Sequence, residues 1–133
     1  PDVWDVKHIV PRRLLYCSYS LLTPSVVVRR DIPYRFDPSK YHAEDRLLVL
    51  VMALNGCRVA RLELPLGYIY KAVYGEEGLS SELWEMQKGE MDNYSQLRRL
   101  KLISGPEENV LKVFSFLKYL RRVWLCRRRS DVT

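Results

Sequence analysis

Two adjacent carboxylates, Glu44 and Asp45, stand just before an unbroken apolar run from Leu47 to Leu54. The run predicts a buried helix over residues 44–55. The two acids fall in its first turn, where the helix dipole favours negative charge. A carboxylate placed there can take the proton from a hydroxyl, which is a poor nucleophile until that proton is lost. The same acids can instead serve only to stabilise the helix start, so both interpretations stay open.

Several residues near this pair are candidates for contact with a substrate. His42 can contact an acceptor substrate, or it can simply cap the helix. Arg29 can bind a phosphate, or it can lie on the opposite face of its strand. A polar loop over residues 74–81 contains Gly78 and Ser80, and such a loop either closes over a substrate or is an ordinary exposed connection. These four residues form the predicted acceptor-binding group.

No arrangement of residues in the sequence indicates a metal or cofactor site. The three cysteines, Cys17, Cys57 and Cys126, are far apart and odd in number. This argues against a zinc site or a disulfide framework and favours a reducing compartment. The sequence has no Asp-x-Asp pattern and no glycine-rich phosphate loop. Because hard cations require several oxygen ligands, we expect this chain to bind no metal.

The net charge of +6 is concentrated near the C-terminus. Residues 112–129 contain seven basic side chains and no acidic one, so the rest of the chain is close to neutral. A basic tail on a near-neutral domain argues against a nucleic-acid-binding domain. With 47% hydrophobic and 29% charged residues, the 133-residue chain is suited to one folded core. No apolar stretch reaches the about 18 residues that a membrane-spanning helix needs.

Strands and helices are predicted to alternate along the chain. Apolar spacing and turn formers predict a helix over 11–16, a buried strand over 23–31, a loop over 31–39, the helix over 44–55, a strand over 57–64 and an extended segment over 67–71. Asn55-Gly56 ends the central helix, because these residues tolerate a left-handed backbone. The order of elements predicts an α/β fold with a small mixed sheet and one buried helix.

Two further helices are predicted at the C-terminal end. The first is capped by Ser80 or Ser81 and extends to about Ile103. Its predicted inner face comprises Leu83, Met86, Tyr94, Leu97 and Leu100, and Trp84 is also placed in the core. The second covers about residues 107–127, with Pro106 in its first turn. Its apolar stripe comprises Val110, Val113, Phe114, Leu117, Leu120 and Trp124.

The last helix supports two interpretations. Residues 107–129 either lie on an anionic membrane surface as a basic amphipathic helix, or pack on the rest of the domain. We therefore divide the chain into a main part, residues 1–104, and a basic helical segment, residues 105–133. If that segment is the functional part, the protein is a non-catalytic module that binds a membrane or a partner.

Four patterns, in chain order, resemble the C-terminal, acceptor-side half of family 2 glycosyltransferases, which have the GT-A fold. They are Thr23-Pro-Ser-Val-Val-Val-Arg-Arg-Asp31; Arg35-Phe-Asp37; Tyr41-His-Ala-Glu-Asp45 before a helix that ends in Asn55-Gly56-Cys57-Arg58-Val59; and Leu64-Pro-Leu66 before Gly75-Glu-Glu-Gly-Leu-Ser-Ser81. Together these patterns cover residues 16–85. The resemblance implies the C-terminal portion of a GT-A-like fold, extended by the two C-terminal helices.

The resemblance also implies a reaction. Such enzymes transfer a sugar, with inversion, from a nucleotide-sugar donor to a hydroxyl of a sugar or lipid-linked acceptor. It implies Asp45 as the general base and Glu44 as a neighbour that contacts the acceptor. A Mg²⁺ or Mn²⁺ ion is expected only in the complete enzyme, on a preceding donor-binding half that this chain lacks.

The same resemblance carries expectations for the chain as a whole. Without the donor half, the chain is expected to be inactive alone. It is also expected to self-associate through surfaces that the donor half would cover. The family's habits imply a cytoplasmic location at the inner face of the membrane and a role in cell-envelope polysaccharide synthesis.

Overall fold

The computed structural model describes residues 6–16, 23–65, 67–68, 70 and 82–130. The chain divides into two compact units. The first unit comprises Pro1–Ser39 and Glu44–Tyr68, and the second comprises Lys40–Ala43 and Ile69–Thr133. Residues 40–43 therefore belong to the second unit, although the segments on both sides of them belong to the first.

The described residues of the first unit form two α-helices, a 3₁₀ turn and a pair of short strands. Strand β1 (Val6–Ile9) pairs antiparallel with β2 (Val59–Leu62), and Ile9 lies opposite Val59. Helix α1 (Pro11–Tyr16) packs on helix α2 (Glu44–Leu54). The core of the unit lies between these helices and comprises Leu14, Leu15, Leu47, Leu48, Val49, Leu50, Met52 and Ala53. The predicted helices at 11–16 and 44–55 are both confirmed.

Helix α2 ends where the sequence predicts. Gly56 has φ of +92°, a left-handed conformation that only glycine adopts at little cost. This turn lets the Gly56 amide donate to the Ala53 carbonyl at 3.1 Å, and the Cys57 amide donate to Met52 at 3.0 Å. The last carbonyls of a helix have no hydrogen-bond donor within the helix, and these two bonds supply donors for the carbonyls of Met52 and Ala53.

The predicted buried strand over residues 23–31 is wrong. Thr23–Ser25 forms a single 3₁₀ turn, and the residues that follow it are in no strand. Val27 is 96% exposed. The segment instead turns on itself, because the Ile32 amide donates to Arg29 and the Arg29 guanidinium holds the Asp31 carboxylate. No described strand pairs with this segment, and Val28 is exposed as well as Val27.

The second half of the predicted sheet is present in part. The strand expected over 57–64 is confirmed for its four central residues, as β2. Of the extended segment expected over 67–71, only residues 67, 68 and 70 are described, and none is in a strand. The predicted mixture of helix and strand is confirmed in the described residues, which form four α-helices and one two-stranded sheet. The sheet that these residues form is antiparallel, whereas a mixed one was predicted.

The second unit is a helical hairpin. Helix α3 (Leu83–Arg99) and helix α4 (Gly105–Ser130) pack along each other. Helix α3 ends four residues before the predicted Ile103, because Lys101 takes a left-handed backbone (φ +59°) and its amide bonds back to Arg98. The hydroxyl of Ser104 then accepts from the Glu107 amide at 3.3 Å and caps α4. None of the described helices is both long and apolar enough to cross a bilayer.

Three details of α3 differ from the prediction. Its N-cap position is Glu82 rather than a serine, and the Glu82 side chain makes no capping hydrogen bond. Leu100 lies beyond the helix end and is exposed. Trp84 is 49% exposed rather than part of the core, and its ring lies near the Tyr119 ring, with centroids 5.5 Å apart. Of the predicted inner face, Tyr94 and Leu97 are fully buried.

Since α3 and α4 lie in one compact unit, the predicted boundary between residues 104 and 105 separates two packed helices. That boundary stays a prediction about function.

Candidate functional site

The acidic pair forms the first turn of α2, as the apolar run predicts. Glu44 and Asp45 are both half-buried. One oxygen of Asp45 accepts from the Arg46 amide at 2.7 Å, so this carboxylate occupies the amide-rich start of the helix. Glu44 makes no hydrogen bond or ion pair with the described residues.

Helix α1 holds the start of α2 in place. The Arg46 guanidinium donates to the carbonyls of Leu14 and Leu15, at 3.2 and 3.4 Å. These carbonyls lie in the last turn of a short helix, where a basic side chain is a favourable partner. Four consecutive buried residues, Leu47 to Leu50, follow directly. The acidic pair is therefore fixed by polar contacts at one end and by packing at the other.

His42, the first of the predicted acceptor-binding residues, belongs to the second unit. Its Nε2 lies 3.4 Å from the Glu82 carboxylate, and its ring meets the Tyr41 ring edge-on. The structure thus assigns His42 and the acidic pair to different compact units, although only Ala43 separates them in sequence. The backbone of Ala43 has φ of +57°, which marks this crossover as a sharp turn.

The short segment at 40–43 is attached to α3 by polar contacts. Lys40 donates to the Gly89 carbonyl at 3.0 Å and pairs with Asp92 at 2.9 Å. The Asn93 amide donates to the Ala43 carbonyl at 3.0 Å. Burial alone would raise the pKa of the Asp92 carboxyl, but hydrogen bonds from Lys40 and Gln96 and nearby positive charge lower it overall.

The other predicted acceptor-binding residues are not brought to the acidic pair. Arg29 is exposed and forms a two-point pair with Asp31, at 3.0 and 2.6 Å, which lowers the pKa of that carboxyl. Gly78 and Ser80 lie outside the described residues. In the described ranges 6–65 and 82–130, apart from the gap at 17–22, no three His, Cys, Asp or Glu side chains come together as a metal site. No ligand is therefore assigned to the metal that the resemblance implies for a complete enzyme.

A second cluster of functional groups, not predicted from the sequence, lies between α3 and α4. Its buried polar members are Gln87, Glu90, Glu108 and Ser115. Gln87 and Ser115 hydrogen-bond across the helices at 3.0 Å. Glu90 accepts from the Tyr94 hydroxyl at 2.9 Å and from the Lys118 ammonium at 3.3 Å. We call this cluster the polar seam.

Glu108 forms the end of the polar seam nearest the hairpin turn. Its carboxylate accepts from Lys112 at 2.7 Å, and from Arg98 and Ser95 at 3.1 Å each. The Lys112 hydrogen bond is the largest influence on its pKa. Burial opposes that bond, while the Arg98 and Ser95 hydrogen bonds reinforce it, and together they lower the pKa to about 2. A helical spacing of polar residues, such as Gln87, Glu90 and Tyr94, is the only sign of the seam in the sequence.

Comparison of the chain with protein-family models, with curated proteins and with solved structures finds no match.

Proposed function

We propose that this chain is the acceptor-side part of an inverting glycosyltransferase of the GT-A type, with Asp45 as the base and Glu44 as its acceptor-binding neighbour. The observation that carries the proposal is the placement of these two acids. They form the first turn of a buried helix whose start and end both follow the third sequence pattern. The anchor from Arg46 to α1 gives the pair the fixed orientation that a base requires.

The chemistry assigned to the pair is a single displacement. Asp45 takes the proton from the acceptor hydroxyl as its oxygen attacks the anomeric carbon of the donor sugar. The bond between that carbon and the nucleoside diphosphate breaks, and the diphosphate leaves with the bonding electron pair. Because the hydroxyl attacks the face opposite the leaving group, the sugar is transferred with inversion. Glu44 is placed to accept a hydrogen bond from a second hydroxyl of the acceptor.

The setting of this reaction is part of the proposal. A nucleotide-sugar donor and any Mg²⁺ or Mn²⁺ ion would be held by a separate donor-binding half. The acceptor would be a sugar or a lipid-linked sugar, and the enzyme would act at the cytoplasmic face of a membrane in cell-envelope polysaccharide synthesis. In a complete enzyme the donor half would cover apolar surface on this chain. Without the donor half, that surface would be exposed and copies of the chain would associate through it.

The test is transfer activity in the longest polypeptide that the source gene encodes. Release of the nucleoside diphosphate from nucleotide sugars is measured with sugar and polyprenyl-linked acceptors. D45N is expected to lower the turnover by about 10²–10⁴-fold, the usual contribution of a positioned base. E44Q is expected to affect mainly the KM for the acceptor. E63Q, which removes an exposed acid in the same unit, is the matched control and should have wild-type activity.

Two outcomes would contradict the proposal. One is a D45N protein that transfers sugar at the wild-type rate. The other is a complete gene product that lacks any nucleotide-binding half. Either result would leave Glu44 and Asp45 as acids that only stabilise a helix start, and the non-catalytic module would then be the better interpretation.

A further inference from the structure

Helix α4 has a polar face and an apolar face on opposite sides, and the polar face is the one that packs on α3. The face on α3 is largely polar, because Glu108, Ser115 and Lys118 contribute to the polar seam there. Among the residues of this face, Leu111 is a fully buried apolar one. The opposite face is apolar over four turns. It comprises Val110, Val113, Phe114, Leu117, Leu120 and Trp124, which we call the outer stripe.

The outer stripe is exposed. Each of its six residues retains between 38% and 62% of its accessible surface. A helix of a water-soluble domain normally turns its apolar side to the core and its charges to solvent. Here Glu108, Lys112 and Lys118 contact the neighbouring helix, and the apolar side chains of the stripe are exposed. The outer stripe is therefore an apolar surface that α3 leaves exposed, which is typical of an interaction site.

The charges beside the stripe identify the kind of surface that it fits. From Lys112 to the end of α4 there are only basic charged residues. Arg121, Arg127 and Arg128 are exposed in the C-terminal half of the helix. The Arg128 guanidinium lies 3.9 Å from the centre of the Trp124 ring. An aromatic ring with a cation against its face, next to apolar side chains, suits the boundary between acyl chains and phosphate headgroups.

We propose that α4 lies flat on a lipid bilayer that contains anionic lipids, with the outer stripe in the acyl-chain boundary and the three arginines among the phosphates. At 1.5 Å per residue, the stripe from Val110 to Trp124 is about 21 Å long, which is enough for a helix in the plane of the membrane. The polar seam supports this arrangement, because it keeps α4 attached to α3 without using any residue of the stripe. The inference does not depend on the transferase proposal.

A parallel copy of the helix and a nucleic acid both fit this surface less well. A second copy of α4 packed in parallel would bring the arginine-rich ends of two helices together. A nucleic acid would satisfy the arginines but not six apolar side chains. A bilayer with anionic headgroups satisfies both, since each basic residue near such a surface contributes about 1 kcal/mol.

The experiment is sedimentation of the full chain with vesicles of phosphatidylcholine, with and without phosphatidylglycerol. We expect binding that increases with phosphatidylglycerol and weakens with salt. R121Q/R127Q/R128Q should lower the partition constant for anionic vesicles by about a hundredfold. L117S/W124S should lower it by at least about tenfold, because two of the apolar anchors are lost. All five side chains are exposed, so circular dichroism should show unchanged helix content.

The matched control removes the same charge elsewhere. R13Q/R58Q/R99Q neutralises three exposed arginines that lie outside α4 and should stay within about twofold of wild type. A tryptophan readout locates the helix. In a W4F/W84F background, Trp124 is the remaining tryptophan of the three, and its emission should shift to the blue and be quenched by brominated acyl chains.

Three results would overturn the inference. The first is no sedimentation of the wild-type chain with anionic vesicles. The second is an equal loss of binding in the control triple variant, which would mean that net charge alone attracts the protein. The third is a dimer in ultracentrifugation that L117S/W124S dissociates, without vesicle binding, which would make a second copy of the chain the occupant.

Discussion

At the scale of single residues, Glu108 is an acid whose folded environment sets its response to pH. Three donors hold its carboxylate, and its pKa is about 2 instead of the ordinary 4.5. A carboxyl whose pKa is lower in the folded than in the unfolded chain contributes stability above the unfolded pKa. That contribution is lost as the pH falls from about 4.5 towards 2.

We therefore predict that E108Q lowers the thermal midpoint of the chain at neutral pH and that the difference from wild type shrinks at about pH 2–3. Thermal unfolding followed by circular dichroism at a series of pH values measures this. E85Q, which removes an exposed acid paired with Lys88, is the control and should change the midpoint little at any pH. A deficit for E108Q that is equal at both ends of the pH series would refute the assignment.

At the scale of elements, the hairpin of α3 and α4 is specified by hydrogen bonds across the polar seam. Gln87 and Ser115 are both fully buried and bond to each other. S115A would leave the Gln87 amide buried without that partner, and we expect it to lower the free energy of unfolding by about 1–3 kcal/mol. In Q87L/S115A neither polar group remains, so the double variant should lose less than the sum of the two single losses.

Urea unfolding of the wild type, both single variants and the double variant completes this cycle. N109A, at an exposed position of α4, is the matched control and should stay within about 0.5 kcal/mol of wild type. If the two single losses in free energy of unfolding add up to the loss in the double variant, then Gln87 and Ser115 act independently. Their hydrogen bond would then not stabilise the hairpin as predicted.

At the scale of the whole molecule, residues 40–43 and α3 belong to one compact unit although they are distant in sequence. Their closest approach is at Gly89, where an added Cβ would lie 2.8 Å from the His42 carbonyl oxygen. Alanine is favoured over glycine inside a helix by about 1 kcal/mol. We nevertheless predict that G89A lowers the stability of the chain by about 1–3 kcal/mol, because the clash is with backbone.

G105A is the matched control for this prediction. There the added Cβ would be 3.3 Å from the end of the flexible Arg98 side chain, which can move. Its midpoint of urea unfolding should be equal to that of wild type or higher. If G89A is as stable as G105A, then residues 40–43 are not packed on α3 in solution, and hydrogen exchange at their amides would be fast.

The sequence predicts the central helix well and the C-terminal hairpin only in outline. Leu47 to Leu54 is too apolar to be exposed, and Gly56 marks the helix end, so both local and tertiary effects favour α2. Val26 to Val28 has an equally strong preference for a strand, but that preference needs a neighbouring strand to be realised. Periodicity places the outer stripe on one side of α4. It does not say which side faces α3.

The candidate site was predictable to the same extent. The first turn of α2 follows from the acids and the apolar run that succeeds them. The assignment of His42 and Asp45 to different units does not follow from the sequence, because a spacing of three residues gives no sign of the left-handed backbone at Ala43. The anchor from Arg46 to α1 was also unpredictable, since it joins residues that lie more than thirty positions apart.

The α3–α4 hairpin and the β1–β2 pair differ in how far apart along the chain their contacting residues lie, and this bears on the order in which they form. The polar seam joins residues between ten and twenty-eight positions apart, so forming the hairpin requires only a short loop to close. In the first unit, β1 and β2 pair residues that are about fifty positions apart, and closing the longer loop costs more entropy. We therefore expect the hairpin to form early and the sheet to form late. The outer stripe would then be formed and exposed to solvent as soon as the hairpin folds, before the first unit is complete.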